Sequence, residues 1–117
     1  NNAMPDPAKA SPTKTLTVHE LKKLIDTKAD FQLIDVREQN EKTFADIGGE
    51  LIPLSTIAAA AEKISKDKTV VVYCRSGKRS GIAVAELQQK FGFTKLYNLA
   101  GGILAWSDHI DPSIRKY

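Results

Sequence analysis

Thr69-Val70-Val71-Val72-Tyr73 is an almost unbroken apolar run with polar residues on either side. A strand with one wet face alternates apolar and polar side chains, so a run without alternation fits a strand covered on both faces. Such a strand belongs in the middle of a parallel sheet. Parallel neighbours need crossover connections, usually helices. This short run therefore demands a layered α/β chain around it.

The remaining sequence supplies the layers. Thr17-Val18-His19-Glu20 matches a helix capping box, and Val18, Leu21, Leu24 and Ile25 follow at helical spacing. Phe31 to Val36 is a short β-rich run, Arg37 to Phe44 reads as a short helix, and Gly48-Gly49 as a turn before a brief strand from Glu50 to Pro53. Ile57 to Ile64 carries an alanine-rich helical pattern. From Ser80 to Phe91, the residues Ala83, Val84, Leu87 and Phe91 mark one helical face, and Gly92 stands where a C-terminal cap glycine belongs. Lys95 to Leu99 gives another strand, and Gly101-Gly102 opens a last helix containing Leu104 and Trp106. The expected fold is α/β, a small and mainly parallel sheet with helices on both faces.

At 117 residues the chain is the size of one domain. Residues 1 to 15 hold three prolines and, apart from Met4, no large aliphatic side chain before the domain, so they read as a tail or linker, with Asn1 to Ala3 as residue left by cloning. Residues 16 to 117 are then the domain. No apolar run approaches the ~20 residues of a membrane helix. The start of the chain lacks the pattern of a secretory signal, and a single cysteine cannot form an internal disulfide, so a reducing cytoplasm is expected. A net charge of +3, from 17 Lys and Arg against 14 Asp and Glu, is too balanced for charge-driven nucleic-acid binding.

The chemistry follows from where Cys74 falls. It ends the most apolar strand and precedes the loop Arg75-Ser76-Gly77-Lys78-Arg79 and then a helix. In open parallel sheets ligands bind beyond the carboxyl ends of the strands. The backbone N–H groups and dipole of the following helix favour an anion there, and Gly77 lets the backbone turn inward. Helix N-termini and neighbouring Arg or Lys lower a thiol's pKa, and the thiolate is the nucleophile. A thiolate formed in this way suits attack on a sulfane sulfur, held afterwards as a persulfide on Cys74. Arg75, Lys78 and Arg79 are expected to act on the thiolate and an anionic donor more than on stability. A short exposed loop should also leave the persulfide open to a macromolecule's flexible tail.

Other residues carry less. His19, His109 and Cys74 lie far apart in sequence and form no metal-ligand pattern, so neither a metal nor another cofactor is expected. Gly101-Gly102 without the rest of a phosphate-binding fingerprint reads as a turn or a place of close packing, and Trp106 as core or partner-facing surface.

Three ordered segments together resemble the rhodanese-like family. Leu33-Ile34-Asp35-Val36-Arg37-Glu38 is similar to its opening signature, Cys74 to Ser80 to its active-site loop, and Asn98-Leu99-Ala100-Gly101-Gly102-Ile103-Leu104-Ala105-Trp106 to its closing motif. The resemblance implies that Cys74 carries a persulfide, that Arg75, Ser76, Gly77, Lys78 and Arg79 cradle the sulfur-bearing anion, and that Asp35, Arg37 and Ser80 support the loop. Ile47 to Leu54 and Gly102 to Pro112 further resemble the C-terminal rhodanese-like domain of molybdopterin-synthase adenylyltransferase and sulfurtransferase proteins. That resemblance implies sulfur delivery from thiosulfate or a cysteine desulfurase persulfide to a ubiquitin-like sulfur-carrier protein activated by an adenylyltransferase domain. Asp46 stands where many family members carry histidine.

Two other functions compete. Phosphatases and arsenate reductases also set a cysteine in a cationic cradle, but theirs resembles Cys-x5-Arg, whereas Cys74 to Arg79 is Cys-x4-Arg, a smaller ring better suited to a persulfide. Non-catalytic rhodanese-like modules usually lack the loop cysteine that this chain keeps. A free-standing thiosulfate:cyanide-type sulfurtransferase is the nearer alternative.

Overall fold

A computed structural model describes residues 13–117; the segment read as cloning residue and most of the expected tail lie outside the described residues. In chain order the elements are β1 (Thr15–Leu16), α1 (Val18–Asp26), β2 (Phe31–Asp35), α2 (Gln39–Phe44), β3 (Glu50–Leu51), β4 (Thr69–Tyr73), α3 (Lys78–Phe91), β5 (Leu96–Leu99) and α4 (Gly102–His109). The strands form one sheet in the order β1-β5-β4-β2-β3, and every pair is parallel. β4 lies at its centre, with Val72 opposite Ile34 of β2 on one side and Asn98 of β5 on the other.

The unalternating run in β4 is explained by two cores. Val70, Val72 and Cys74 join Ile34, Val36, Ala83, Val84 and Leu87 on one face of the sheet, under α3. Val71 and Tyr73 join Val18, Leu21, Leu99, Ile103 and Trp106 on the other, under α1 and α4. Val70, Val71, Val72 and Tyr73 are all 0% exposed. Each valine buried in this way contributes roughly 1.5–3 kcal/mol.

Local signals set the helix ends. The Glu20 amide donates to Thr17 Oγ1 at 3.1 Å and the Thr17 amide to Glu20 Oε1 at 2.8 Å, which is the capping box that starts α1. Gly92 ends α3 in a left-handed conformation with its amide on the Gln88 carbonyl. Two residues expected on buried faces, Ile25 and Phe91, are 40% and 36% exposed.

Two expectations need correction. Ile57 to Ile64 is not an α-helix: it follows a 3-10 turn at Leu54–Thr56 and contains another at Ala61–Lys63, and its bonds run chiefly from residue i to i−3, as from the Ile64 amide to the Ala61 carbonyl. A 3-10 turn advances about 2.0 Å per residue against about 1.5 Å in an α-helix, so the segment reaches further between its two buried anchors, Ile57 and Ile64. Anchoring overrides alanine's helical preference. Thr15, placed in the tail by composition, instead pairs with Asn98 in the edge strand β1. Among the described residues no helix is long and apolar enough to cross a membrane.

Candidate functional site: a thiol held by loop amides

Cys74 follows β4 directly and is 1% exposed. The loop around it is outward-facing, with Arg75, Ser76 and Lys78 exposed, but the sulfur lies at its floor, deeper than an exposed loop suggests. Sγ accepts the Gly77 amide at 3.1 Å and the Ser80 amide at 3.4 Å, and the Ser80 hydroxyl lies 3.3 Å away. Burial pushes the thiol's pKa up. The Ser80 hydroxyl and amide, with the Gly77 and Ser76 amides, outweigh burial and hold it below its ordinary value.

The amides point inward because the carbonyls are pulled outward. The first turn of α4 donates its unpaired N–H groups, Ile103 to the Cys74 carbonyl at 3.0 Å and Leu104 to the Arg75 carbonyl at 3.1 Å. In a trans peptide the N–H points opposite to the C=O, so fixing the Arg75 carbonyl on α4 turns the Ser76 amide toward the sulfur. Gly102 makes this approach possible. A Cβ there would lie 2.5 Å from both the Cys74 and Arg75 carbonyl oxygens. The glycine pair thus serves close packing, as expected. Gly77, at φ +102, turns the chain into α3.

The three loop cations have different situations. Arg79 forms a two-pronged ion pair with Glu41 of α2, Nη1 to Oε1 at 2.7 Å and Nη2 to Oε2 at 2.8 Å. Arg79 donates hydrogen bonds that draw the Glu41 carboxyl down to about 2. Arg75 turns to the C-terminal segment, where Nε donates to the Tyr117 carbonyl and the guanidinium lies 5.2 Å from the Tyr117 ring centre. Lys78 is exposed, and among the described residues no carboxylate pairs with it. The thiol's closest stabilisers are therefore neutral N–H and O–H groups.

Asp35 and Arg37, both 0% exposed, connect to this loop through Glu41 and Tyr117. Arg37 uses all of its N–H donors: Nε and Nη2 on the Asp35 carboxylate at 2.9 and 2.7 Å, Nη2 also on the Ala45 carbonyl, and Nη1 on the Glu41 carbonyl and the Tyr117 hydroxyl. Hydrogen bonding this complete offsets the cost of burying the two charges. The Tyr73 hydroxyl, 2.7 Å from the Gly48 carbonyl and 3.1 Å from Asp35 Oδ2, closes the cluster from β4. Tyr117 joins it to the loop, since its hydroxyl accepts from Arg37 and donates to Glu41 Oε2 at 2.8 Å. Asp46 accepts the Gly48 amide at 2.7 Å and Lys42 Nζ at 2.9 Å, bracing the neighbouring turn.

Sequence reading gave no role to Glu41, Tyr73, Asn98 or Tyr117. Asn98 sits inside the closing motif, which was its only signal; its side chain bonds Ser80 Oγ at 2.5 Å and the Gly77 carbonyl at 2.9 Å. His19 and His109, distant in sequence, meet at the α1–α4 contact with ring centres 5.9 Å apart.

The chain is similar to known proteins over most of its length. Residues 17–109 match the family described as the rhodanese-like domain. A probable adenylyltransferase/sulfurtransferase, MoeZ, of Mycobacterium tuberculosis is 37% identical over 115 residues, covering 96% of this chain but 29% of that protein, so the chain spans under a third of that relative. A sulfurtransferase of Allochromatium vinosum is 42% identical over 93 residues, 79% of this chain and 85% of its own length. The crystal structure of a rhodanese-like domain protein from Staphylococcus aureus superposes with a TM-score of 0.75 at 27% identity, over 90% of this chain and 99% of that one. With its parallel sheet, its cysteine loop at the end of β4 and a family match over most of its length, the chain belongs to the rhodanese-like domain family.

Proposed function

We propose that this domain is a sulfurtransferase that carries sulfane sulfur as a persulfide on Cys74. The observation that carries the reading is the placement of Cys74 Sγ at the end of β4, within 3.1 Å of the Gly77 amide, 3.4 Å of the Ser80 amide and 3.3 Å of the Ser80 hydroxyl, donors that favour its thiolate. With thiosulfate as donor, the Cys74 thiolate attacks the outer sulfur, the S–S bond of thiosulfate breaks, and sulfite leaves with the electron pair. Cys74 then holds Cys–S–S⁻. A cysteine desulfurase persulfide donates by the same displacement, its own thiolate leaving.

The acceptor we favour is the acyl-adenylated C-terminus of a ubiquitin-like carrier, supported by the adenylyltransferase/sulfurtransferase relative. The outer sulfur attacks the acyl carbon, adenylate leaves, and an acyl disulfide joins the carrier to Cys74. Two external thiols complete the reduction, one releasing the thiocarboxylate as it binds Cys74 in a mixed disulfide, the second freeing Cys74. Cys74 is the only cysteine of the 117 residues, so both thiols come from outside this domain. A sulfur only 1% exposed within an outward-facing loop suits a thin, extended tail. A free, acidic thiol also fits a reducing cytoplasm. Phosphoryl transfer is disfavoured because Arg79, which would have to grip a tetrahedral anion, is occupied by Glu41.

The test is intact-mass analysis after incubation with thiosulfate, or with a cysteine desulfurase and cysteine, followed by addition of the adenylated carrier. Expected are a gain of one sulfur atom, absent in Cys74→Ser, and its passage to the carrier. No gain of sulfur would overturn the persulfide reading. Loading followed by transfer to cyanide and not to the carrier would identify a free-standing thiosulfate sulfurtransferase.

A further inference from the structure

Ser80 is fully buried, and its hydroxyl stands between two groups: Cys74 Sγ at 3.3 Å and Asn98 Oδ1 at 2.5 Å. A hydroxyl has one proton to give and lone pairs to receive. It cannot donate to both neighbours at once. Which atom of the Asn98 amide faces Ser80 is fixed by its other end, because Nδ2 donates to the Gly77 carbonyl at 2.9 Å and a reversed amide would set two carbonyl oxygens together. While the thiol is neutral, the shorter contact gives the proton to Asn98. Ser80 Oγ then turns a lone pair toward the sulfur.

We propose that Asn98 is a positioning residue for the Cys74 sulfur: by taking the single hydroxyl proton of Ser80, it decides which of two hydrogen-bond arrangements the sulfur meets. In the first, Cys74 S–H donates to Ser80 Oγ and Ser80 donates to Asn98, an arrangement that satisfies the neutral thiol. In the second, the Ser80 hydroxyl turns to a thiolate and leaves Asn98 Oδ1 without its donor. Gly77 and Ser80 amides serve the anion in either case. Asn98 therefore favours the neutral thiol. It equally favours the loaded state, in which the inner sulfur is bonded to sulfur, carries no charge and no longer needs the hydroxyl. The thiolate is the attacking group during loading and the leaving group during discharge, so the same side chain holds back both.

The charged groups around the sulfur do not enter this exchange. Arg79 of α3, whose charge is felt at Cys74, is paired with Glu41 of α2. Arg75 is turned onto Tyr117 of the C-terminal segment, and Lys78 faces solvent. Asp35 and Arg37 at the end of β2 are paired with each other. None of them bonds the side chain of Ser80 or Asn98, whose partners are Cys74, Gly77 and each other. Removing Asn98 also orphans no backbone group, since the Gly77 carbonyl keeps the Gly81 amide at 3.1 Å.

The inference rests on the thiol chemistry proposed above, but its test reads the thiol before any sulfur is transferred. The rate of iodoacetamide alkylation is followed against pH for the wild-type chain, Asn98→Leu, Ser80→Ala and the double variant, with folding checked by circular dichroism. Asn98→Leu should lower the apparent pKa of Cys74 by about one pH unit, because the freed hydroxyl now serves the thiolate. Ser80→Ala should raise it. In the Ser80→Ala background the Asn98 substitution should change nothing, since no proton remains to be contested. If Asn98→Leu does not fold, Asn98→Ala takes its place. An unchanged or raised pKa in the single variant, or an equal shift in both backgrounds, overturns the proposal and leaves Asn98 as loop scaffolding. Failure of sulfur loading with the expected pattern of pKa values would instead count against the sulfurtransferase reading alone.

Discussion

The Arg79 guanidinium and the Glu41 carboxylate meet in two parallel N–H···O bonds of 2.7 and 2.8 Å, tying the start of α3 to α2. The arginine that the sequence offers to an anionic donor is therefore already held. Its side chain is 34% exposed and that of Glu41 14%. Arg79→Ala would leave the mostly buried Glu41 carboxylate without its charge partner, the Tyr117 hydroxyl remaining as a donor, and would remove a positive charge felt at Cys74. We expect a loss of about 1–3 kcal/mol of stability, together with a higher Cys74 pKa. Chemical denaturation and the pH dependence of alkylation measure the two effects. This replaces the expectation that Arg79 acts on the thiolate and donor more than on stability.

The same pair makes the fold sensitive to acid. The Glu41 carboxyl, drawn down to about 2 in the folded chain, binds a proton more readily when unfolded. Its stabilising contribution is complete above the ordinary carboxylate range and disappears as pH falls from about 5 toward the folded value. Melting temperatures of the wild-type chain and Glu41→Gln should differ at neutral pH and converge across that window. A difference persisting undiminished to pH ~2 would contradict the assignment.

Lys78 is the loop cation with its charge directed to solvent. Lys78→Ala should raise the KM for thiosulfate about two- to fivefold, the effect of losing one exposed charge, while kcat and melting temperature hold. The difference should shrink as salt screens the charge. A fall in kcat with unchanged KM would assign Lys78 to the chemical step instead.

Gly102 tests the link between α4 and the loop. Gly102→Ala would introduce a Cβ 2.5 Å from the Cys74 and Arg75 carbonyls, on a backbone already at φ +59. Strain of this kind costs about 1–3 kcal/mol, and overpacking a similar amount. Denaturant melts should show the loss. Cys74 alkylation should also move toward the pH of an ordinary thiol as the amides swing off the sulfur.

How much of this was legible depended on how local each signal was. The β4 run, the Thr17–Glu20 cap, the Gly92 helix end and the cysteine at the end of a central strand are patterns within a few residues, and each could be read directly. The Ile57–Ile64 segment misled because its composition is helical while its conformation is set by where two isoleucines must be buried. Thr15 pairs through its backbone alone and left no side-chain pattern. Glu41, Tyr117 and Asn98 act across separations of 38, 80 and 18 residues, so their sequence neighbours say nothing of their partners. Charge counting met the same limit. Three cations near Cys74 could be counted, but not that one is paired, one drawn aside and one left to solvent.

The depth of Cys74 separates the resting domain from the loaded one. At 1% exposure the bare sulfur is concealed, and a bulky aromatic disulfide should react with it far more slowly than a small alkylating agent. Adding a sulfur extends the side chain by about 2 Å, within a loop whose Arg75, Ser76 and Lys78 border solvent. The empty domain thus hides its nucleophile from adventitious oxidants, and the charged one displays its cargo. Discrimination between partners then needs no moving lid, because occupancy alone changes what can be touched.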